Sequence, residues 1–190
     1  MRRAARVRAR HMTSDAKLSS PAFVRAYVGL GSNLGDRAGY LLLAVRGMLA
    51  AGLSVRRLSS VYETEPVDAP AQPLFLNMVA ELDGALPAPE QLLARLLRIE
   101  YALERRRDVA RGARTIDLDL LLYGERQSST EFLVLPHPRL HERRFVLTPL
   151  AELSPRLVHP CLRRDIAGLL AAVEDSAEVK RWTPGTRDER

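Results

Sequence analysis

Apolar and polar positions alternate along this chain with two periods, and the switches between them mark out its elements. Arg25–Leu30 is a short apolar run that ends at Gly31-Ser32-Asn33-Leu34-Gly35, and reads as a strand closed by a turn. Asp36 is placed to cap a helix running to about Ala50, with Gly52 near its end. Val55–Glu63, rich in β-branched and aromatic residues, predicts one strand, and Pro66, Pro70 and Pro73 predict an irregular loop after it. Phe75–Leu82 predicts a further strand, closed by Asp83-Gly84. Beyond Pro87 and Pro89, leucines at 92, 93, 96, 97 and 103, with Ile99, recur at helical spacing over Glu90–Leu103. Arg105–Ala113 is charged and reads as a loop, and Thr115–Tyr123 is the strongest strand in the chain. Phe132–Leu135 is expected to pair with that strand across the polar stretch Gly124–Thr130. Helices are expected near Val146–Leu153 and Asp165–Val173, with a polar, frayed tail from Glu174. The order of elements predicts an α+β fold, a ferredoxin-like sandwich with a mainly antiparallel central sheet and flanking helices.

The strongest strand also carries the main chemical signal. In Thr115-Ile116-Asp117-Leu118-Asp119-Leu120-Leu121-Leu122-Tyr123, alternation sends Ile116, Leu118, Leu120 and Leu122 to one face. Asp117 and Asp119 share the other, with Cα atoms roughly 6.6 Å apart. Two like charges so close repel unless a cation stands between them, and Mg²⁺ suits carboxylate oxygens while leaving positions for phosphate. By itself such a pair is more often a solvated strand face. The arginines at 105, 107, 111 and 114 change the weighting, because acidic pairs beside guanidiniums are what phosphoryl transfer uses. Phe75 and Asn77, two apart on a strand, could stack on and hydrogen-bond a flat heterocycle; alone they are more often a core Phe with a satisfied Asn. Gly31–Gly35 is not a phosphate-binding P-loop, since no Gly-Lys-Ser/Thr follows.

Charge sharpens this picture. The 190 residues carry a net +6, but residues 1–20 alone hold six basic groups against Asp15, and the remainder is nearly neutral. A diffuse nucleic-acid-binding face is therefore not expected on the folded part. Residues 1–20 read either as a mitochondrial targeting segment or, preferred, as a basic disordered extension, with a start at Met12 a further possibility. Residues 21–175 form the expected single domain and 176–190 a polar tail. Cys161 is the only cysteine, which excludes an internal disulfide and fits a reducing compartment. The most apolar stretch, Ala38–Val55, is broken by Arg46 and three glycines and does not read as a membrane span.

Six stretches, in order, closely resemble the 6-hydroxymethyl-7,8-dihydropterin pyrophosphokinase family of the folate pathway. They are Tyr27–Gly35; Ser60–Val67; Gln72–Asn77; Arg98–Glu100; Gly112–Asp119; and Leu135–Pro138 followed by Arg143 and Phe145. The resemblance implies transfer of pyrophosphate from ATP to the pterin hydroxymethyl group, with AMP leaving. It implies that Asp117 and Asp119 hold two Mg²⁺ ions and that Arg105, Arg107 and Arg114 act on the phosphates. Glu100, Leu120, His137 and Arg143 would line the ATP site. Thr64, Glu65, Val67, Phe75, Asn77 and Phe145 would form the pterin pocket. The expected enzyme is a cytoplasmic monomer acting on small molecules, with no nucleic-acid or membrane partner.

The sequence departs from the family at Arg111, where a Trp is usual, in a loop one residue shorter. It departs also at Leu97, Phe132 and Pro138. The competing readings are a nucleic-acid-binding module, motivated by the basic extension, and a family member that binds pterin without turnover, motivated by Arg111.

Overall fold

The computed structural model describes residues 24–66, 72–104 and 113–184. Eight strands and four helices follow one another: β1 (Ala26–Ser32), α1 (Arg37–Ala50), β2 (Val55–Leu58), β3 (Tyr62–Thr64), β4 (Phe75–Leu82), α2 (Pro89–Ala102), β5 (Asp117–Tyr123), β6 (Ser128–Ser129), β7 (Val134–Leu135), α3 (Arg144–Leu153), α4 (Ile166–Ala172) and β8 (Val179–Arg181).

The main sheet runs β5-β1-β4-β3-β8, with β2 beside β3 on the same edge of β4, and its strand pairs are antiparallel. Counting β2 and β3 as one interrupted strand, the first six elements trace the split βαβ order of a ferredoxin-like sandwich. Asp36 caps α1 by accepting the Gly39 N–H at 2.9 Å, and Pro89 opens α2 at a position where its missing N–H costs nothing.

Each face of the sheet buries its own core. On one side α1 and α2 close over Val28, Leu30, Ile116 and Leu118 with Leu41, Met48, Leu92 and Leu96. The two helices approach closely at Gly47, where a Cβ would lie 2.8 Å from Ile99 Cγ2. On the other side α3 and α4 pack Leu147, Leu150 and Ile166 against Tyr27, Val79, Leu121 and Leu122. This second layer covers only part of its face, and the uncovered part is where the site lies.

Four local expectations are corrected. Val55–Glu63 is two strands because Ser59 breaks the ladder: its N–H donates to Val79 O, and its hydroxyl, not its carbonyl, accepts the Val79 N–H. Leu122 faces the second core, not the first, because Tyr27 pairs with Leu122 and the next residue, Val28, with Leu120; the bulge at Leu121 reverses the alternation. β7 pairs with β6 and not with β5. The outer edge of β5 is already engaged, its Leu118 N–H by Glu100 and its Leu121 carbonyl by the His137 N–H. Finally, the segment expected to fray from Glu174 supplies β8, which extends the sheet beyond β3.

Candidate active site

The pocket opens over the ends of β1, β4, β5 and β3 and against the first turn of α3. Asp117 and Asp119 stand on its β5 wall, half-buried, at alternate positions. Their partners across the ladder on β1 are Gly31 and Gly29, so no side chain rises between the carboxylates and β4. That bareness is enforced at Gly31, where a Cβ would fall 2.7 Å from Asn77 Oδ1.

Arg114 lies just before β5 and joins both halves of the pocket. Its Nη1 sits 2.7 Å from Asp117 Oδ2, and its Cζ lies 5.6 Å from the centre of the Phe75 ring. Arg143 approaches from the opposite wall, with Cζ 5.5 Å from the Phe145 ring centre. Burial is the main influence pulling Arg143 below the usual arginine range, and Arg139 adds to it while Asp119 and Asp117 oppose. It stays charged at any physiological pH. The Nε atoms of Arg114 and Arg143 are both buried without a protein partner among the described residues. Two such donors facing two carboxylates make a site shaped for an anion bridged through cations.

The other wall sets two aromatic rings among polar groups. Phe75, Thr64, Glu65, Asn77 and Phe145 line one pocket with Asp117, Asp119, Arg114 and Arg143. The Asn77 amide donates to Thr64 Oγ at 2.7 Å, which leaves its carbonyl over Gly31. Val67, Arg105, Arg107 and Arg111 fall outside the described residues.

The remaining expected nucleotide contacts are placed differently. Leu120 is 4% exposed and lies within the first core, outside the pocket lining. Glu100, on α2, is 2% exposed and spends one carboxylate oxygen on the Leu118 N–H at 2.6 Å. His137 is mostly buried, its backbone N–H bonded to β5 at Leu121. Burial first, then the Arg143 charge, push its pKa down to about 4, so it is neutral at pH 7.

Sequence reasoning passed over Arg139 and Gln72, which also line the pocket, and Asn33, which organises it. Asn33 was legible only as part of a turn cluster. In the fold its side chain accepts the Arg114 N–H at 2.7 Å and donates to Gln72 Oε1 and Pro73 O at 3.2 and 3.3 Å.

Magnesium fits these residues. Among the described residues no three His, Cys, Asp or Glu side chains converge as a metal cage. A pair of carboxylates with room beside them is the usual protein contribution to magnesium on a nucleotide, the substrate phosphates completing the shell.

Comparison with known proteins decides the assignment. The sequence model of the 7,8-dihydro-6-hydroxymethylpterin-pyrophosphokinase (HPPK) family matches residues 27–155. The chain belongs to that family. This pyrophosphokinase is 48% identical over 133 residues to the 2-amino-4-hydroxy-6-hydroxymethyldihydropteridine pyrophosphokinase of Bacillus subtilis, covering 70% of this chain and 79% of that protein. It is 47% identical over 135 residues to the protein of the same name from Methylorubrum extorquens, covering 70% and 85%. The folic acid synthesis protein fol1 of Pneumocystis carinii is 42% identical over 149 residues, which are 78% of this chain but only 20% of that protein. Among solved structures, wild-type Plasmodium falciparum HPPK-DHPS with pterin and p-hydroxybenzoate superposes with a TM-score of 0.63 at 15% identity. That match covers 80% of this chain and 43% of the other, and shows the shared fold. As a family member the pyrophosphokinase moves pyrophosphate from ATP to 6-hydroxymethyl-7,8-dihydropterin in folate synthesis.

Proposed function

We propose that the pocket between β5, β4, β3 and the start of α3 carries out this transfer with the residues that line it. The observation that carries the reading is the facing of Asp117 and Asp119 against Arg114 and Arg143, beside the wall of Phe75 and Asn77.

The pterin ring is held on that wall. Phe75 and Phe145 offer stacking faces, and Asn77, fixed by Thr64, presents its amide to the ring edge. Glu65 completes this side, and the family resemblance adds Val67 to the pterin contacts. ATP lies along the β5 wall. Asp117 and Asp119 would hold two magnesium ions there, which would supply charge neutralisation and orientation of the phosphate oxygens. Arg114 exchanges its contact with Asp117 for phosphate oxygens, and Arg143 donates from the facing side. Arg105 and Arg107, which precede Arg114 in the sequence, add to this clamp. Glu100 and neutral His137 border the nucleotide, and the family resemblance adds Leu120.

Such transfer asks for alignment and charge stabilisation more than for covalent help. The hydroxymethyl oxygen forms a bond to the β-phosphorus, the bond from that phosphorus to the α,β-bridging oxygen breaks, and AMP departs with the electron pair. The hydroxyl proton goes to solvent; no general base is assigned. The acting unit is proposed to be a cytoplasmic monomer. Among the described residues no helix is long and apolar enough to cross a membrane.

The test is incubation with ATP, Mg²⁺ and the hydroxymethyldihydropterin. AMP and the pterin diphosphate are the expected products; ADP as the sole nucleotide product would overturn the reading.

A further inference from the structure

α3 begins at Arg144, whose own N–H finds no acceptor within the helix. Arg143, its N-cap, makes no side-chain capping bond, and the first turn contains no acidic residue. The missing acceptor comes from 31 residues further along the chain. Asp175 Oδ2 accepts the Arg144 N–H at 2.8 Å, while its other oxygen accepts the Ala177 N–H at 2.9 Å and fixes the local turn. The Arg144 side chain returns the contact, donating from Nε to the Asp175 carbonyl at 2.7 Å and from Nη2 to the Val173 carbonyl at 3.3 Å. A carboxylate at this place also faces the positive end of the helix dipole.

The turn so capped is part of the pocket. Arg143 precedes Arg144 and Phe145 follows it, and both line the cavity. The same C-terminal segment then crosses to the other wall. β8 pairs Val179 with Thr64, Glu63 with Lys180 and Tyr62 with Arg181. The Glu178 N–H lies 3.5 Å from Glu65 Oε2, and the Trp182 N–H donates to Val61 O at 2.8 Å. One strap therefore joins the first turn of α3, with Phe145, to β3, with Thr64 and Glu65. It lies wholly beyond residue 155, where the family match ends.

We propose that Asp175 is a positioning residue for the acceptor pocket: by capping α3 from this strap, it sets Phe145 against the wall formed by Thr64 and Asn77. The proposal rests on the assignment of that pocket to the pterin. Asp117 and Asp119 are carried by β5, which is not a neighbour of β8 in the sheet, so they keep their places; Arg143, the N-cap of the same turn, moves with Phe145, and a smaller effect on ATP accompanies the one on the acceptor.

The experiment compares full-length wild type, Asp175→Asn, Asp175→Ala and Phe75→Ala. Binding of the hydroxymethylpterin substrate is titrated with Mg²⁺ and a non-hydrolysable ATP analogue present, and steady-state kinetics are measured alongside. The Asp175 variants are expected to weaken pterin binding and raise its KM about tenfold, with a smaller rise in the KM for ATP through Arg143 and kcat reduced by no more than about threefold. A merely structural role would instead lower the active fraction, reducing kcat at unchanged KM, and that pattern overturns the proposal. Phe75→Ala separates the two levels. If it weakens pterin binding and the Asp175 variants do not, only the strap proposal fails; if it leaves binding unchanged, the pocket assignment fails and the proposal with it. Asp175→Asn keeps one acceptor oxygen and decides the matter should Asp175→Ala not fold.

Discussion

Asn33 and Arg114, 81 residues apart, are locked to each other through two backbone groups: the Asn33 side-chain oxygen accepts the Arg114 N–H at 2.7 Å, and the Asn33 N–H donates to the Arg114 carbonyl at 3.1 Å. The buried Asn33 amide simultaneously holds Gln72 and Pro73. One small side chain thus fixes the root of the arginine that meets Asp117 and the entry to β4. Asn33→Ala is expected to lower kcat/KM by about 10- to 100-fold, since small misplacements of a positioned group cost that much. It should lower the Tm by only a few degrees, as for a lost buried hydrogen bond. Turnover and thermal melts on the same preparation check this; an unchanged kcat/KM would remove Asn33 from the positioning of Arg114.

Asp117→Asn and Asp119→Asn keep the shape of the β5 wall and delete its charge. Each is expected to reduce AMP formation by about a thousandfold or more, the scale on which electrostatic stabilisation acts in a dry site. Circular dichroism should remain that of the wild type. Relief of the repulsion between the carboxylates is offset at Asp117 by loss of the Arg114 ion pair, so the Tm of each variant should stay within a few degrees of the wild type. AMP release at saturating ATP, measured across a magnesium titration, is the readout, and near-normal rates in either variant remove that residue from the metal site.

Gly31→Ala tests the contact between β1 and β4. The new methyl would lie 2.7 Å from Asn77 Oδ1, so the amide must turn away and its bond to Thr64 is lost. Pterin affinity should fall about tenfold, as for a binding-site hydrogen bond misaligned. Equilibrium titration with the pterin substrate measures it; wild-type affinity would show that Asn77 does not read the ring.

The histidines predict an acid limit to stability. His137 is held down to about 4 by burial first and the Arg143 charge next, against about 6.5 in an unfolded chain. The folded state therefore binds fewer protons, and the contribution is complete above about pH 6.5 and lost as pH falls toward 4. Its full size is of order 3 kcal/mol. His159 acts in the same direction, lowered by burial first and then by His141, while its Nδ1 accepts N–H groups from Cys161 and Leu162. In ligand-free enzyme His137→Gln should flatten the decline of Tm between pH 7 and pH 4.5. An identical slope in wild type and variant rules out this origin.

What could be read from the sequence was what is encoded locally. The helical spacing of Leu92, Leu96 and Ile99 and the alternation around Asp117 and Asp119 survive into the fold almost unaltered. So do the faces shared by Phe75 and Asn77, because period alone decides them. Features fixed by distant partners were not legible. The Ser59 hydroxyl replaces a ladder carbonyl only because Val79 lies opposite. The bulge at Leu121 exists only in the register with Tyr27 and Val28. β8 looks polar because it is a short edge strand whose stability comes from β3, and Asp175 looks like a tail residue until α3 is seen to need it. The burial of Leu120 in the first core, away from the pocket lining, likewise depends on packing between elements.

The glycines of β1 have a consequence for how this site can change. β1 is paired along both edges, with β4 and β5, and cannot shift to make room. The volume over Gly29 and Gly31 is thus set by atoms that are not there, in a strand no expected ligand contact belongs to. The two positions differ in kind. At Gly31 an added methyl disturbs the protein itself, whereas at Gly29 it meets only Leu121, at an ordinary 3.5 Å. Gly29 is the place where the capacity of the site can be trimmed while its chemistry and its scaffold are left alone.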